Sequence, residues 1–362
     1  MNQHNVMTTD QATAPWRVAL IGCGRIGTLL EDDPLRAKPC THAGAFSSHP
    51  AFRLVAGCDI NRERILKFGQ RWGLQPAQCY EDYHELLERE RPDIVAVATW
   101  TGTHGDIVDA ACDAGVRAIF CEKPLEATVQ RSREMVRRCL DRNVLFVVDH
   151  DRRWCWPYRN ARALIRSGRL GAVRTVNGCV LTGPPLSDWH SDPIRAGAGP
   201  LLHDGTHLVD AVRFLIDDDY AEVRGAVERE PGWQVEHTAR AWFTTRNGVH
   251  GFLEAGGRRG YFHFEIDVQL QHGRIAIGNG FSRAYAARDS RLYSGFRDLV
   301  EIPFPDEDRR PRYTIALDEV NAALHGHGTV SSTGYDALRV MELIDGVYRS
   351  AANGGATVTL AK

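Results

Sequence analysis

Apolar segments of strand length alternate with amphipathic segments of helix length over the first 149 residues. The apolar segments are short enough to be strands that a parallel sheet buries on both faces. The amphipathic segments are long enough to be the helices that connect such strands. The pattern predicts a doubly wound parallel sheet, with strands ending near Ile21, Cys58, Ala98, Cys121 and Val148 and helices around 61–73, 83–89, 104–115 and 128–142.

The pattern changes after Asp149, where most strong segments alternate apolar with polar residues and are separated by turns that contain glycine. This alternation is typical of an antiparallel sheet with one covered face. We therefore predict a second α/β domain with an open, mostly antiparallel sheet. Its predicted strands are 173–181, 222–228, 235–245, 248–255, 261–270, 273–277 and 356–360, and its predicted helices are 158–168, 202–216 and 334–352.

Composition narrows the class of protein. The 362 residues are 43% apolar and 25% charged, which is ordinary for a globular chain. A formal net charge of −2 gives no reason to expect nucleic acid or an anionic membrane as a partner. No apolar run approaches the ~18 residues of a spanning helix, and the polar residues 1–14 favour a flexible tail over a signal peptide. Nine cysteines without a Cys-x-x-Cys pair indicate a reduced, cytoplasmic protein.

A glycine-rich turn follows the first predicted strand. Gly22 permits the tight turn, Gly24 allows backbone to approach a pyrophosphate, and Gly27 allows close packing of helix on strand. The helix expected next presents unpaired N–H groups to phosphate. The second strand ends on Asp59, whose carboxylate suits the ribose hydroxyls of NAD and repels a 2′-phosphate. The turn predicts a Rossmann domain that binds NAD.

The interval between glycine turn and carboxylate is irregular. Asp59 lies 32 residues after Gly27, whereas the usual interval is roughly 20. The excess is the segment 31–39, which has two prolines and mixed charge and therefore indicates an inserted loop. Such a loop either caps the cofactor or the substrate or is a surface excursion.

The tripeptide Glu122-Lys123-Pro124 directly follows a predicted buried strand. Its lysine lies 101 residues after Gly22. Glycine turn and tripeptide in this order resemble the glucose-fructose oxidoreductase / inositol dehydrogenase / rhizopine-catabolism (Gfo/Idh/MocA) oxidoreductases. The resemblance implies that Lys123 reaches the junction of nicotinamide and substrate and polarises the reacting oxygen. It covers about 15 to 361, and it implies a homodimer or homotetramer formed through the C-terminal sheet.

A second segment of the family pattern lies at 199–210. The family places an aspartate and, four residues later, a histidine on one helix face, where the aspartate orients the histidine that takes the hydroxyl proton. His207 matches the family's base, His203 stands in the aspartate's place, and the acid has moved to Asp204. Two histidines at this spacing also suggest zinc, with His190 or Asp204 as a third ligand. We expect no metal, because hydride transfer does not need one.

Two further groups complete the predicted site. The loop after the fourth strand usually reads Thr-Pro-x-x-x-His in the family, and Trp100 replaces the proline here, in contact with ligand or in packing. The segment 150–158 begins at the mouth of the cleft and offers arginine and tryptophan to a sugar. Predicted catalytic residues are Lys123, His207, His203 and Asp204; cofactor-binding residues are Gly22, Gly24, Arg25, Ile26, Gly27, Asp59, Thr99, Trp100, His104, Glu122 and Lys123; substrate-binding residues are Lys123, Arg153, Trp154, His190, His203 and His207.

The resemblance implies an NAD-dependent oxidoreductase that moves a hydride between nicotinamide and a secondary alcohol of a sugar or cyclitol, or its ketone. Its parts are a tail over 1–14, an NAD-binding Rossmann domain over 15–149, and a substrate-binding and oligomerisation domain over 150–362. Two alternatives stay open. One is an NAD-dependent glycosidase that uses transient oxidation and elimination, and the other is a non-catalytic sensor of nucleotide or sugar with the same fold.

Overall fold

The structure, a computed structural model, describes residues 14–183 and 199–361. Six parallel strands form the first sheet in the order β3-β2-β1-β4-β5-β6. This order reverses direction between β1 and β4, which is the arrangement at which doubly wound sheets bind ligands. The predicted parallel sheet is confirmed. Its strands are β1 (Trp16–Ile21), β2 (Phe52–Cys58), β3 (Cys79–Tyr80), β4 (Ile94–Val97), β5 (Ala118–Cys121) and β6 (Leu145–Val148).

Helices connect these strands, and polar side chains cap several of them. Asn61 accepts a hydrogen bond from the Arg64 amide at the start of α2, and Thr128 accepts one from the Arg131 amide at the start of α5. Each cap satisfies an amide that has no partner within its helix. The helices are α1 (His42–Ser48), α2 (Arg62–Trp72), α3 (Tyr83–Glu90), α4 (His104–Asp113) and α5 (Val129–Asp141).

The glycine turn does not run into a continuous helix, because a loop that includes the predicted insertion 31–39 interrupts it. One helical turn forms after Gly24, and the chain then leaves the helix axis. It returns at α1, where the amides of His42 and Ala43 donate to the carbonyls of Ile26 and Gly27 at 3.1 and 3.0 Å. These bonds join residues 16 apart in place of the usual four, so 12 residues, 30–41, are inserted into the helix. Without them Asp59 lies 20 residues after Gly27, the usual interval.

Nine strands form the second sheet, in the order β14-β13-β12-β11-β7-β10-β9-β8-β15. Among the described strands of this second sheet, only the β7–β10 pair is parallel, so the expectation of a mostly antiparallel sheet is confirmed. The strands are β7 (Val173–Leu181), β8 (Tyr220–Glu228), β9 (Thr238–Thr245), β10 (His250–Gly256), β11 (His263–Leu270), β12 (Gly273–Gly278), β13 (Phe281–Asp289), β14 (Arg297–Ile302) and β15 (Val358–Thr359).

Helices cover one face of this sheet. α6 (Trp156–Arg166), α8 (Gly205–Ile216) and α10 (Gly334–Ala352) pack on β12, on β7 and β10, and on β8 respectively. The predicted helix 202–216 is in fact two, since α7 (Pro200–His203) ends one residue before α8 begins. The opposite face has no covering helix among the described residues and exposes Trp242, which packs on Phe252 at 5.3 Å between ring centroids.

The sequence pattern missed β3, β13, β14 and one helix, α9 (Arg312–Leu324). α9 returns to the first domain: Trp16 Nε1 donates to Asn321 Oδ1 at 3.0 Å, and Tyr313 is buried in the apolar core beneath the parallel sheet. This helix adds two side chains, Arg312 and Tyr313, to the region around Lys123. No helix within 14–183 or 199–361 has both the length and the apolar character to cross a bilayer.

Candidate active site

The glycine turn has the geometry that a dinucleotide requires. Gly22 has φ +97°, and a Cβ added there would lie 2.5 Å from the Ala98 carbonyl oxygen. A Cβ on Gly27 would lie 2.1 Å from the Gly22 carbonyl oxygen, whereas one on Gly24 would meet no atom within 4 Å. Gly22 and Gly27 therefore serve tight packing, and Gly24 leaves open space beside the backbone. Arg25 is exposed and Ile26 half-buried in the same turn.

Asp59 closes the turn from the end of β2. Its Oδ2 accepts from the Cys23 amide at 2.9 Å, and its Oδ1 accepts from the Asn61 amide at 2.9 Å. The guanidinium of Arg64 lies 3.2 and 3.3 Å from the two carboxylate oxygens. Arg62 instead pairs with Glu81 at 2.6 Å. The arginine that faces Asp59 is thus Arg64.

The loop after β4 is tied to the lysine loop by His104. This buried imidazole has Nδ1 3.1 Å from the Pro124 carbonyl oxygen and Nε2 3.3 Å from that of Thr99. Burial lowers the pKa of His104. Both ring nitrogens face the protein's own carbonyls, so His104 ties the two loops together, and its predicted contact with the cofactor stays a prediction. Thr99 Oγ1 accepts from Thr103 at 2.8 Å, and Trp100 is 53% exposed.

Lys123 joins the two domains. Its Nζ donates to the carbonyl oxygen of His203 at 2.9 Å, so the end of β5 meets the end of α7. Its backbone amide donates to Glu122 Oε2 at 3.1 Å. Glu122 is buried with its other oxygen 2.9 Å from His42 Nε2, and its predicted contact with the cofactor stays a prediction.

His207 lies in the first turn of α8, with 14% of its side chain exposed. Burial, followed by the charges of Arg152 and Lys123, holds the pKa of His207 well below its usual value. Its Nδ1 lies 3.5 Å from Asp151 Oδ1, an ion-pair distance without hydrogen-bond geometry. We call His207 and Asp151 the outer pair. A neutral imidazole beside cations is suited to accept a proton.

His203 and Asp204 form a separate contact. His203 Nδ1 lies 3.2 Å from Asp204 Oδ1, and 43% of the histidine side chain is exposed. Burial works to raise the pKa of Asp204, but the hydrogen bond and charge of His203 lower it overall. The helix break at Asp204 directs this carboxylate to His203, whereas the carboxylate close to His207 comes from another part of the chain, the turn after β6.

Asp151, Arg152 and Arg312 are absent from the sequence prediction. Asp151 Oδ1 lies 3.2 Å from Arg152 Nη1, and its Oδ2 lies 3.2 Å from Arg312 Nε. Burial opposes ionisation of Asp151, but Arg312, Arg152 and Lys123 hold its pKa below the usual value. Arg152 also stacks on Phe264, 4.0 Å from the ring centroid. Position 151 lies in a segment that the sequence singled out, whereas Arg312 lies on the unpredicted helix.

Arg153 and Trp154, predicted to bind substrate, face the interior instead. Arg153 is 4% exposed, binds Asp210 through Nε and Nη2 at 2.7–3.0 Å, and donates to the Ser331 carbonyl at 2.6 Å. Trp154 is fully buried and donates to Glu319 at 2.7 Å. Residues 151–154 form a 3-10 turn, in which successive side chains point about 120° apart, so only part of it faces the site. His190, also predicted to bind substrate, lies outside the described residues.

Comparison with known families agrees with this arrangement. Residues 16–150 match the family model described as "Oxidoreductase family, NAD-binding Rossmann fold", and residues 158–276 match the "GFO/IDH/MocA C-terminal domain". The chain belongs to the Gfo/Idh/MocA oxidoreductase family. The predicted family and its cofactor, NAD, are confirmed.

Relatives within the Gfo/Idh/MocA family align over most of the chain. D-apiose dehydrogenase of Paraburkholderia graminis is 24% identical over 96% of this chain and 91% of that protein. Myo-inositol 2-dehydrogenase of Thermotoga maritima is 27% identical over 78% of this chain and 81% of that protein. The crystal structure of aldose-aldose oxidoreductase from Caulobacter crescentus has TM-score 0.80 and 21% identity over 96% of this chain and all (100%) of that one, so it shares the fold.

One departure from the Gfo/Idh/MocA pattern stands out in the geometry. The position of the family aspartate is occupied by His203, whose side chain turns to Asp204. A carboxylate is nevertheless close to His207, because Asp151 approaches it from the 3-10 turn after β6. Only the fold reveals this pair, since 56 residues separate its members.

Proposed function

We propose that this protein oxidises a secondary alcohol of a sugar or cyclitol with NAD, or reduces the corresponding ketone. The observation that carries the proposal is the meeting of Lys123, from the cofactor domain, with the segment of His203 and His207, from the sheet domain. The relatives' substrates, D-apiose and myo-inositol, support a polyhydroxylated substrate. When bound, NAD supplies the nicotinamide that accepts or returns the hydride.

The protein's own residues would hold the cofactor at the edge of the parallel sheet. Gly24 leaves room for the pyrophosphate, and Asp59 lies where the adenosine ribose is bound in this fold. Lys123 would donate a hydrogen bond to the reacting oxygen in place of its present bond to the His203 carbonyl. An ammonium group at that oxygen stabilises the negative charge that develops as the hydroxyl proton leaves.

The hydroxyl proton would pass to His207. Its low pKa leaves the imidazole neutral and able to accept a proton at neutral pH. Asp151, 3.5 Å from Nδ1, would orient the ring and stabilise the imidazolium that forms. Arg152 and Arg312 hold Asp151 ionised for this purpose.

We also infer a homodimer or homotetramer that forms through the uncovered face of the second sheet, where the exposed Trp242 ring packs on the half-buried Phe252 ring. A cytoplasmic location is supported by the cysteines, all nine of which are free. Light scattering of the wild type and of Trp242→Glu tests the assembly: the variant should shift to a smaller species.

The function is tested with a panel of polyols, cyclitols and sugars and with NADH absorbance as the readout. A dehydrogenase accumulates NADH in proportion to the alcohol consumed. A glycosidase regenerates its cofactor in each cycle and releases product without NADH. Tight binding of sugar without turnover on any member of the panel would indicate a sensor and would contradict the proposal.

A further inference from the structure

A second imidazole–carboxylate group lies on the interior side of Lys123. His42 Nε2 lies 2.9 Å from Glu122 Oε1 and 3.6 Å from Asp149 Oδ2. The Tyr313 hydroxyl donates to the same Asp149 oxygen at 2.7 Å. We call these four residues the inner network. They come from α1, the ends of β5 and β6, and α9, so the fold assembles them from four separate elements.

The inner network is sealed from solvent. His42 is 0%, Tyr313 1%, Asp149 3% and Glu122 7% exposed. Burial disfavours the simultaneous ionisation of two carboxylates beside a neutral imidazole, and the charge of Lys123 offsets this only in part. His42 Nδ1 and Asp149 Oδ1 have no hydrogen-bond partner in the described chain. The network therefore retains protons that a solvated set of the same residues would release.

Burial raises the pKa of Glu122 to about 7, even though the Lys123 charge works to lower it. Burial and the charge of Glu122 raise the pKa of Asp149, and burial lowers that of His42. The charge of the network thus changes near neutral pH. The titratable or charged groups that face it from the elements packed around it are Cys121, Lys123, Asp151, His104 and Arg312.

The network touches Lys123 directly. Glu122 precedes it in the chain and accepts its backbone hydrogen bond at 3.1 Å, so the carboxylate fixes the peptide from which the lysine side chain extends. The two side chains are also coupled electrostatically, since the ammonium of Lys123 favours an ionised Glu122. A proton lost from the network therefore alters the charge behind the lysine.

We propose that His42, Glu122, Asp149 and Tyr313 form a proton-holding network that positions Lys123 and sets the charge behind it during turnover. The inference rests on the proposed function, in which Lys123 acts at the reacting oxygen. Glu122 and His42 are positioning residues, since they act through Lys123 and the structure gives them no exposed face to a substrate.

The test compares Glu122→Gln and His42→Gln with wild type in steady-state NAD reduction from pH 5.5 to 9.5. Each variant keeps a polar side chain of similar size but removes one ionisable group. In wild type, the dependence of kcat on pH should contain an apparent pKa that comes from the network. This apparent pKa should disappear in Glu122→Gln and move by about one pH unit in His42→Gln. KM should stay within about twofold of the wild-type value in both variants. Tyr313→Phe removes only a hydroxyl, and its smaller shift should be upward because ionised Asp149 loses a donor.

Glu126→Gln is the matched control. Glu126 is a buried acid on the same loop whose pKa is also raised by burial, but it binds the Gly105 and Ala127 amides instead of the network. Its variant should keep the wild-type pH profile. A merely structural role for the network would lower activity equally at all pH values in the variants.

The outcomes separate the two claims. Loss of turnover in Lys123→Ala together with unchanged pH profiles in folded Glu122→Gln, His42→Gln and Tyr313→Phe would overturn the inference and leave the proposed function standing. Near-normal turnover in Lys123→Ala would overturn the proposed function and with it the role of the network. Because the ligand atoms of His42, Glu122 and Asp149 lie within 4.8 Å of one another, metal content is measured as well, and a stoichiometric metal ion would also overturn the inference.

Discussion

The outer pair, His207 with Asp151, and the inner network, His42 with Glu122, Asp149 and Tyr313, lie on either side of Lys123. Both combine imidazole with carboxylate. Around the outer pair, arginines hold Asp151 ionised, and burial with neighbouring cations keeps His207 neutral. Around the inner network the acids outnumber the cations, and burial keeps protons on the carboxyls. The same residue types therefore accept a proton in the outer pair and retain protons in the inner network, because the charged neighbours of the two groups differ.

Lys123→Ala should have the largest effect on activity, since Lys123 lies between the outer pair and the inner network. We expect kcat to fall by roughly 10²–10⁴, the usual contribution of a positioned proton-transfer group. NADH affinity, followed by fluorescence titration, should change little. Wild-type turnover in this variant would mean that neither group acts through the lysine.

Asp151→Asn removes the charge of the outer pair and keeps its shape. We expect kcat to fall by roughly 10²-fold, because the imidazolium of His207 loses its carboxylate and the ring its orientation. Asp204→Asn is the matched variant, and it should cost far less, since Asp204 contacts His203. If Asp204→Asn were the more damaging change in steady-state kinetics, Asp204 would be the orienting group.

The sequence predicts the parts of the fold and site whose residues are close together in the chain, and it misses the contacts between distant segments. The glycine turn, Asp59, Lys123 and His207 are local motifs with a mechanism, so the sequence alone predicts a role for each. The two sheets were found because their residue patterns have different periods. His42, Asp151, Arg312 and Tyr313 reach the site through contacts between distant segments, which no local pattern records. Arg153 and Trp154 were misassigned because a 3-10 turn sends neighbouring side chains in different directions.

Arg152→Gln tests why the outer pair differs from the inner network, because it removes one of the cations that keep His207 neutral. The pKa of His207 is depressed by burial first and by Arg152 next, so the variant's pKa should rise. The acidic limb of the pH profile for alcohol oxidation should move upward, because activity is lost as the pH falls through the pKa of His207. Arg159→Gln, which changes an arginine paired with Asp308, should leave that limb in place.

The smallest effect concerns the cofactor, away from both groups. NADH should bind more tightly than NADPH, because Asp59 repels a 2′-phosphate. Arg64 offsets part of that repulsion, so Arg64→Gln should weaken NADPH binding by about fivefold and NADH binding less. Arg62→Gln is the control, since Arg62 pairs with Glu81. Fluorescence titration measures the affinities of the wild type and both variants for NADH and NADPH, and tighter binding of NADPH than NADH to wild type would contradict the role of Asp59.

The central claim is that His207 is a neutral base at the pH at which the enzyme works. Nitrogen-15 NMR of histidine-labelled protein reads the protonation state of each ring, and His207→Gln assigns the signal. The account predicts that the His207 signal remains that of a neutral imidazole down to a pH well below the ordinary histidine value of about 6.5. A His207 signal that titrates at or above that value would contradict it.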